Sequence, residues 1–476
     1  MISPFSCIAA LRPTFPDVLP GLPADVAAGE PAEPTGRLAI FEGYIGVLVV
    51  SFLVAVIATP LMRRLAVSQG IIDRPNEARK VHKVPIAYLG GVAVYLGIMG
   101  GIFFAILGTR FTDLIQWHPT RFEKNVDFNL PVPFSIMLGM TVILLVGVID
   151  DVTGISPRVK IGGQLFAAAA LAMDRVGVQL AAGILLPVAR TFGIPTESNS
   201  LGIETLLLKV PLPFDMLGGG HIPVDVVYWV GTGIIAVAVI GLCNAANLID
   251  GLDGLLSGTT AISAAGLLVV ALGLALADDG PRDGERLILC MALLGACLGF
   301  LPHNFNPATI FLGDAGSLLL GFTTCVIILM MGDTGKTSLV AAGVIIFALP
   351  IIDTTLAIVR RKMEGRSISS ADDQHLHHQL KRALGVKGAV MVLYGIAATF
   401  ATIGAAVTLI RARSVFLLAL ILGAYVGVTA IKIARRRAVE AEAARHDTRV
   451  AAGLASTSAP QPAPHPPGAG VAPRTP

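Results

Sequence analysis

The chain has 476 residues, 54% of them hydrophobic and only 14% charged, with a formal net charge of +3 and a mean hydropathy of +0.75. Such values exclude an ordinary soluble globular domain and place the chain in a bilayer. Its basic residues lie in loops between apolar runs and form no single patch, which argues against nucleic acid as a partner.

Residues 1–42 are rich in Pro, Ala and Gly, lack the basic start and apolar run of a cleavable signal, and read as a disordered leader. Windows of about 19 residues then give eleven candidate spans, near 43–61, 87–108, 133–149, 161–182, 226–246, 254–277, 286–302, 317–331, 338–358, 388–410 and 414–433. They predict one all-α, polytopic transmembrane domain over 43–433, with a disordered tail over 434–476. The five cysteines have no CxxC spacing and read as small core residues.

Basic residues set the orientation. Arg63, Arg64, Arg74, Arg79, Lys80 and Lys83 follow the first span; Arg360, Arg361, Lys362, Arg366, Lys381, Arg382 and Lys387 follow the ninth; Arg435 to Arg437 follow the last. The positive-inside rule makes this shared face cytoplasmic, as in a multi-pass protein of the plasma (inner) membrane.

The loops on that face also carry the chemistry: RPNEARKVHKVPIAYLGG (74–91), VIDDVTGISPRVKIGGQ (148–164), NAANLIDGLDGL (244–255), HNFNPATIFLGDAGS (303–317) and DDQHLHHQL (372–380). Carboxylates beside apolar helix ends are costly unless paired or bound to a cation, so their recurrence in several loops points to a site. Asn244, Asn247, Asp250 and Asp253 recur every third residue, which predicts one helical face, while Gly251 and Gly254 let a ligand approach. Oxygen ligands of this kind suit Mg²⁺, with Mn²⁺ as a substitute, and Asp314 in FLGDAGS is a natural second ligand. Asp150 and Asp151 point about 100° apart on a helix and should differ in role, one facing metal and phosphate, the other holding a base such as Lys160. His375, His377 and His378 of HLHH, with His82, Lys83 and Lys160, are candidate pyrophosphate contacts; zinc is the rival reading of the histidines. Gly90-Gly91 and Gly162-Gly163 sit at span starts, where close helix packing is the expected use, and no P-loop is present.

From about residue 45 to 430 the sequence resembles the polyprenyl-phosphate N-acetylhexosamine-1-phosphate transferases. HKVPIAYLGG, VIDD, NAANLIDGLDGL and NFNPATIFLGDAGS are similar to four of that family's motifs, in order. QHLHHQL is similar to the HxHH loop of the branch that uses UDP-N-acetylglucosamine; in the phospho-N-acetylmuramoyl-pentapeptide branch, the alternative, three consecutive histidines stand where Leu376 interrupts the run here. The resemblance implies transfer of a sugar 1-phosphate from a UDP-sugar to a polyprenyl phosphate, with release of UMP. It implies Mg²⁺ on Asn247 and Asp314, Asp150 near the lipid phosphate with Asp151 supporting it, Asp253 on the uracil, and the three histidines on the pyrophosphate. Asp250 joins the catalytic candidates, and Asn244, Asn304 and Phe311 the substrate contacts. The oligomeric state is left open, a homodimer included. A transporter is the rival from another class; it would need ionisable residues at mid-membrane depth and an internal repeat.

Overall fold

The computed structural model describes residues 40–73, 85–111, 130–198, 204–211, 221–277, 282–363, 365 and 376–408, with single positions at 417, 421, 424, 425 and 428. His82, Lys83, His375, nearly all of the expected last span, the expected leader as far as residue 39 and the expected tail lie outside the described residues, while residues 40–42 of that leader belong to the first helix. The chain divides after Ala39, and everything described belongs to the second unit.

Long apolar runs satisfy their backbone groups internally only as helices, and helices dominate. In chain order they are α1 (Ile40–Ser68), α2 (Gly90–Arg110), α3 (Phe134–Thr153), α4 (Pro157–Met173), α5 (Gln179–Thr191), α6 (Val226–Ile249), α7 (Leu255–Leu276), α8 (Asp283–Asn304), α9 (Gly313–Met330), α10 (Thr337–Ile346), α11 (Ala348–Met363) and α12 (Leu376–Val407). Gly385 breaks α12 with a non-helical backbone (φ 71°). Among the described residues three antiparallel strand pairs join loops: β1 (Ile72–Asp73) with β2 (Ile86–Ala87), β3 (Glu197–Ser198) with β4 (Glu204–Thr205), and β5 (Leu207–Pro211) with β6 (His221–Asp225). Asp225 ends β6 and caps α6, its Oδ1 accepting the Tyr228 N–H at 2.9 Å.

Among the described residues eight helices are long and apolar enough to cross a membrane, or nine if α10 and α11, bent by 79°, form one broken span. The expected span over 161–182 divides instead into α4 and α5. The break falls at the charged pair Asp174-Arg175, where Arg175 adopts φ 55° and Gly177 φ 81°.

Helices in lipid associate through small residues that let backbones approach. A Cβ on Gly91 would overlap the Gly316 backbone nitrogen, and one on Gly147 would overlap Ala315, so α2 and α3 both close directly on the first turn of α9. Gly162, expected to pack, meets nothing within 4 Å, whereas Gly163 lies against Val146. At the helix ends away from that turn, a buried ionic network was not anticipated. Arg282 Nε lies 2.9 Å from Asp333 Oδ2, Arg282 Nη2 donates to the Asp174 carbonyl at 2.9 Å, Arg286 pairs with Asp283, and Asp333 Oδ1 accepts the Gly177 N–H at 3.0 Å. It fastens the ends of α4, α8 and α9 together.

Candidate active site

The polar loops meet around the first turn of α9. Asp151, near the end of α3, accepts the backbone N–H of Asp314 through Oδ1 (2.7 Å) and that of Ala315 through Oδ2 (3.1 Å). A carboxylate there satisfies two donors that helix geometry leaves open and favours the positive end of the helix dipole. Its neighbour Asp150 points elsewhere: Oδ1 accepts the Ile155 N–H (2.8 Å) and Oδ2 lies 2.5 Å from Lys160 Nζ. The two aspartates therefore differ in role as their angular offset predicts, and the structure shows which is which. Asp150, not its neighbour, holds the base, and Asp151 is the cap of α9.

Lys160 reaches back from the first turn of α4 and pairs with Asp314 as well, so one ammonium stands between two carboxylates. The other oxygen of Asp314, Oδ1, accepts from Asn247 Nδ2 at 2.7 Å, and the same amide donates to Ser317 Oγ at 2.9 Å. One turn along α6, Asn244 Nδ2 donates to Gln164 Oε1 (3.0 Å), and Gln164 is fully buried.

The expected single helical face over 244–253 is not formed. Asn244 and Asn247 lie on α6, but that helix ends at Ile249, leaving Asp250 as its C-cap and Asp253 in the turn before α7, where Gly254 takes φ 77°. Burial, then the carboxylates of Asp314, Asp151 and Asp253, push the Asp250 carboxyl up to about 8. Asp253 Oδ2 accepts from Asn306 Nδ2 (2.8 Å) and from the Ala308 N–H (3.1 Å), tying this turn to the loop after α8.

That loop is also sewn to the segment before α2. Phe311 N–H donates to Ala87 (2.8 Å), and the Gly90 and Gly91 N–H groups donate to Phe311 (3.0 Å) and Leu312 (2.9 Å). The Phe311 ring lies 6.2 Å from that of Tyr88. Asn304 is buried within the fold, accepting from Ser257 (2.8 Å) and donating to the Ile310 carbonyl (3.1 Å), so its amide braces the loop. His377 is buried against Asp353, and its ring centroid is 4.3 Å from that of His378. Arg360 and Arg361, expected in the loop after the ninth span, lie instead within the last turn of α11 and are buried.

The structure thus brings together Asp150, Asp151, Lys160, Asn247, Asp250 and Asp314, with Asp253 and Phe311 on the loops around them. Sequence reasoning gave no role to Gln164, Ser317 or Asp353. The first and last are polar residues inside runs that otherwise read as membrane helix, which is the signal that marks them.

A bundle of membrane-length helices with paired carboxylates, a bridging lysine and asparagines at its span ends is the build of an integral membrane enzyme. Residues 133–332 match the profile of glycosyl transferase family 4. The chain is 30% identical over 350 residues to the probable undecaprenyl-phosphate N-acetylglucosaminyl 1-phosphate transferase of Bacillus subtilis, covering 73% of this chain and 80% of that one. It is 32% identical to the decaprenyl-phosphate N-acetylglucosaminephosphotransferase of Mycolicibacterium smegmatis (68% and 71% covered) and 29% identical to the undecaprenyl-phosphate alpha-N-acetylglucosaminyl 1-phosphate transferase of Escherichia coli K12 (72% and 78% covered). The chain belongs to glycosyl transferase family 4, in the branch of the polyprenyl-phosphate N-acetylglucosamine-1-phosphate transferases.

Proposed function

We propose that this chain transfers N-acetylglucosamine 1-phosphate from UDP-N-acetylglucosamine to undecaprenyl or a related polyprenyl phosphate, giving the polyprenyl-diphosphate sugar and UMP, an opening membrane step of cell-envelope glycan assembly. The observation that carries this reading is the Lys160 ammonium set between Asp150 and Asp314, with Asn247 on the second oxygen of Asp314. Paired carboxylates that demand a cation, at the ends of membrane helices, suit a substrate whose phosphate sits at the surface while its chain stays in lipid.

The reaction is a single displacement. An oxygen of the lipid phosphate bonds to the β-phosphorus of the donor, the bond from that phosphorus to the bridging oxygen breaks, and UMP leaves with that oxygen; the sugar keeps its anomeric bond. A phosphate monoester has a second pKa of about 6 and is already mostly dianionic at neutral pH, so Asp150 orients more than it deprotonates. Lys160 offers positive charge where the attacking and departing groups meet, and Asp151 fixes Asp314 by holding the start of α9. The donor set near Asp314 is hard oxygen and the paired carboxylates already attract a cation, which fits Mg²⁺ or its substitute Mn²⁺; Asn247 and Asp314 would hold it. When bound, it supplies charge neutralisation for the pyrophosphate.

The face that carries the site is cytoplasmic in this reading, on the strength of the basic residues that follow α1 and α11. Among the described residues this reading counts ten spans, the eight helices, the bent pair and α4, whose 17 residues reach the lower limit for crossing; the expected run 414–433 lies almost wholly outside them.

The test is UMP release by purified protein given polyprenyl phosphate, Mg²⁺ and either UDP-N-acetylglucosamine or UDP-N-acetylmuramoyl-pentapeptide, with Asp314→Ala as control. Lipid-dependent release with the first donor, lost in the variant, is the expected result. Release with the second donor alone would move the chain to the peptidoglycan branch, and release with neither would sink the reading.

A further inference from the structure

Of the HLHH histidines, His377 is one that the fold closes over. Its side chain and that of Asp353 on α11 are each 2% exposed, and Nδ1 lies 3.3 Å from Asp353 Oδ2. The second oxygen of the same carboxylate accepts the Leu376 N–H at 2.9 Å, so Asp353 grips both the first residue of α12 and the ring of the second. An ionised carboxylate can only accept, so Nδ1 carries the hydrogen of this contact and Nε2 is the nitrogen on the far side of the ring.

That nitrogen faces the turn between α6 and α7. A Cβ built on Gly251 would stand 2.5 Å from Nε2. Gly251 is not among the residues with a left-handed backbone, so conformation does not require glycine here. What the missing side chain provides is room for the imidazole. Gly251 adjoins Asp250 and is two residues from Asp253, so the ring braces the turn that carries both carboxylates. Asp353 in turn ties this brace to the second half of the bent α10–α11 pair.

We infer that Asp353 and His377 form a positioning pair that seats the 250–254 turn for the donor nucleotide, and that His377 acts through this turn without touching the substrate. The inference rests on the proposed reaction for the identity of the donor. Outer partners of this kind move affinity or activity by roughly 10-fold or more when lost.

The test uses full-length protein in detergent and reads equilibrium binding of UDP-N-acetylglucosamine and of polyprenyl phosphate, together with turnover, for wild type, Asp353→Asn, His377→Gln and the double variant. Each single change should weaken UDP-N-acetylglucosamine roughly 10-fold and leave lipid phosphate binding unchanged, and the double variant should be no worse than either single one. Additive losses, equal losses for both substrates, or unchanged donor binding would overturn the pair. A second reading does not depend on how the Asp353 variant folds. In ¹⁵N-histidine-labelled wild type, with the signal assigned by its loss in His377→Gln, Nδ1 should carry a proton; a bare Nδ1 overturns the inference. Donor binding without any transfer would sink the proposed reaction and leave the pair to be judged on binding and the ¹⁵N signal.

Discussion

Asp151 Oδ1 accepts the backbone N–H of Asp314 at 2.7 Å, so one acidic residue of the site is held in place by another, on a different helix. The link joins the end of α3 to the start of α9, and it works because α2 and α3 present glycine where α9 begins.

Replacing Asp151 with Ala leaves the Asp314 and Ala315 N–H groups without that acceptor. A lost helix cap costs about 1–2 kcal/mol of stability. Denaturation of the detergent-solubilised protein should register this, and transfer should fall with it because α9 carries Asp314. Unchanged stability would show that the start of α9 is held by other contacts.

Lys160 neutralises Asp150 and Asp314 together. Lys160→Gln should reduce transfer about 100-fold or more, the scale of a lost charge-stabilising donor. The same change should tighten binding of Mn²⁺ followed by electron paramagnetic resonance, since the ammonium no longer competes for the carboxylates. Weaker Mn²⁺ binding would mean that lysine and metal do not share them.

Asp250 carries a pH dependence of unusual sign. Its carboxyl is raised from the ordinary 3.8 to about 8, so between those values the folded chain holds a proton that the unfolded chain has released. This contribution to stability is complete below 3.8 and is lost as pH rises toward about 8. Asp250→Asn should flatten the fall in melting temperature across that interval; an equally steep fall would assign it to other groups.

Gly91→Ala should destabilise the protein by about 1–3 kcal/mol through overpacking against the Gly316 backbone. Gly162→Ala, with open space around it, should cost nothing measurable. Thermal unfolding of the two variants side by side checks both, and equal behaviour would contradict the close contact of α2 with α9.

Much of the helix order could be read from apolar runs, because a bilayer rewards length and composition that sequence displays directly. The breaks were harder. Asp174-Arg175 ends α4 through an ionic network assembled by residues more than 100 positions away, and no local window contains Arg282 or Asp333. The site was legible as a set of loops, since Asp150, Lys160, Asn247 and Asp314 stood in motifs. The partners within it were not: every third residue from Asn244 to Asp253 suggested one helix, but α6 ends at Ile249 and Gly254 takes a left-handed backbone before α7, so the last two carboxylates leave that face. Arg360 and Arg361 read as loop residues because the apolar run ends before them, whereas α11 continues through them to Met363.

The most direct test of the account follows two labels in one donor, ³²P in the β-phosphate and ³H in the sugar of UDP-N-acetylglucosamine, through reaction with polyprenyl phosphate. Both labels should arrive in the lipid in equal amounts, with unlabelled UMP released. If the sugar moved while the ³²P stayed with the nucleotide as UDP, the bond broken would be the anomeric one, and the displacement at phosphorus proposed for this site would be wrong.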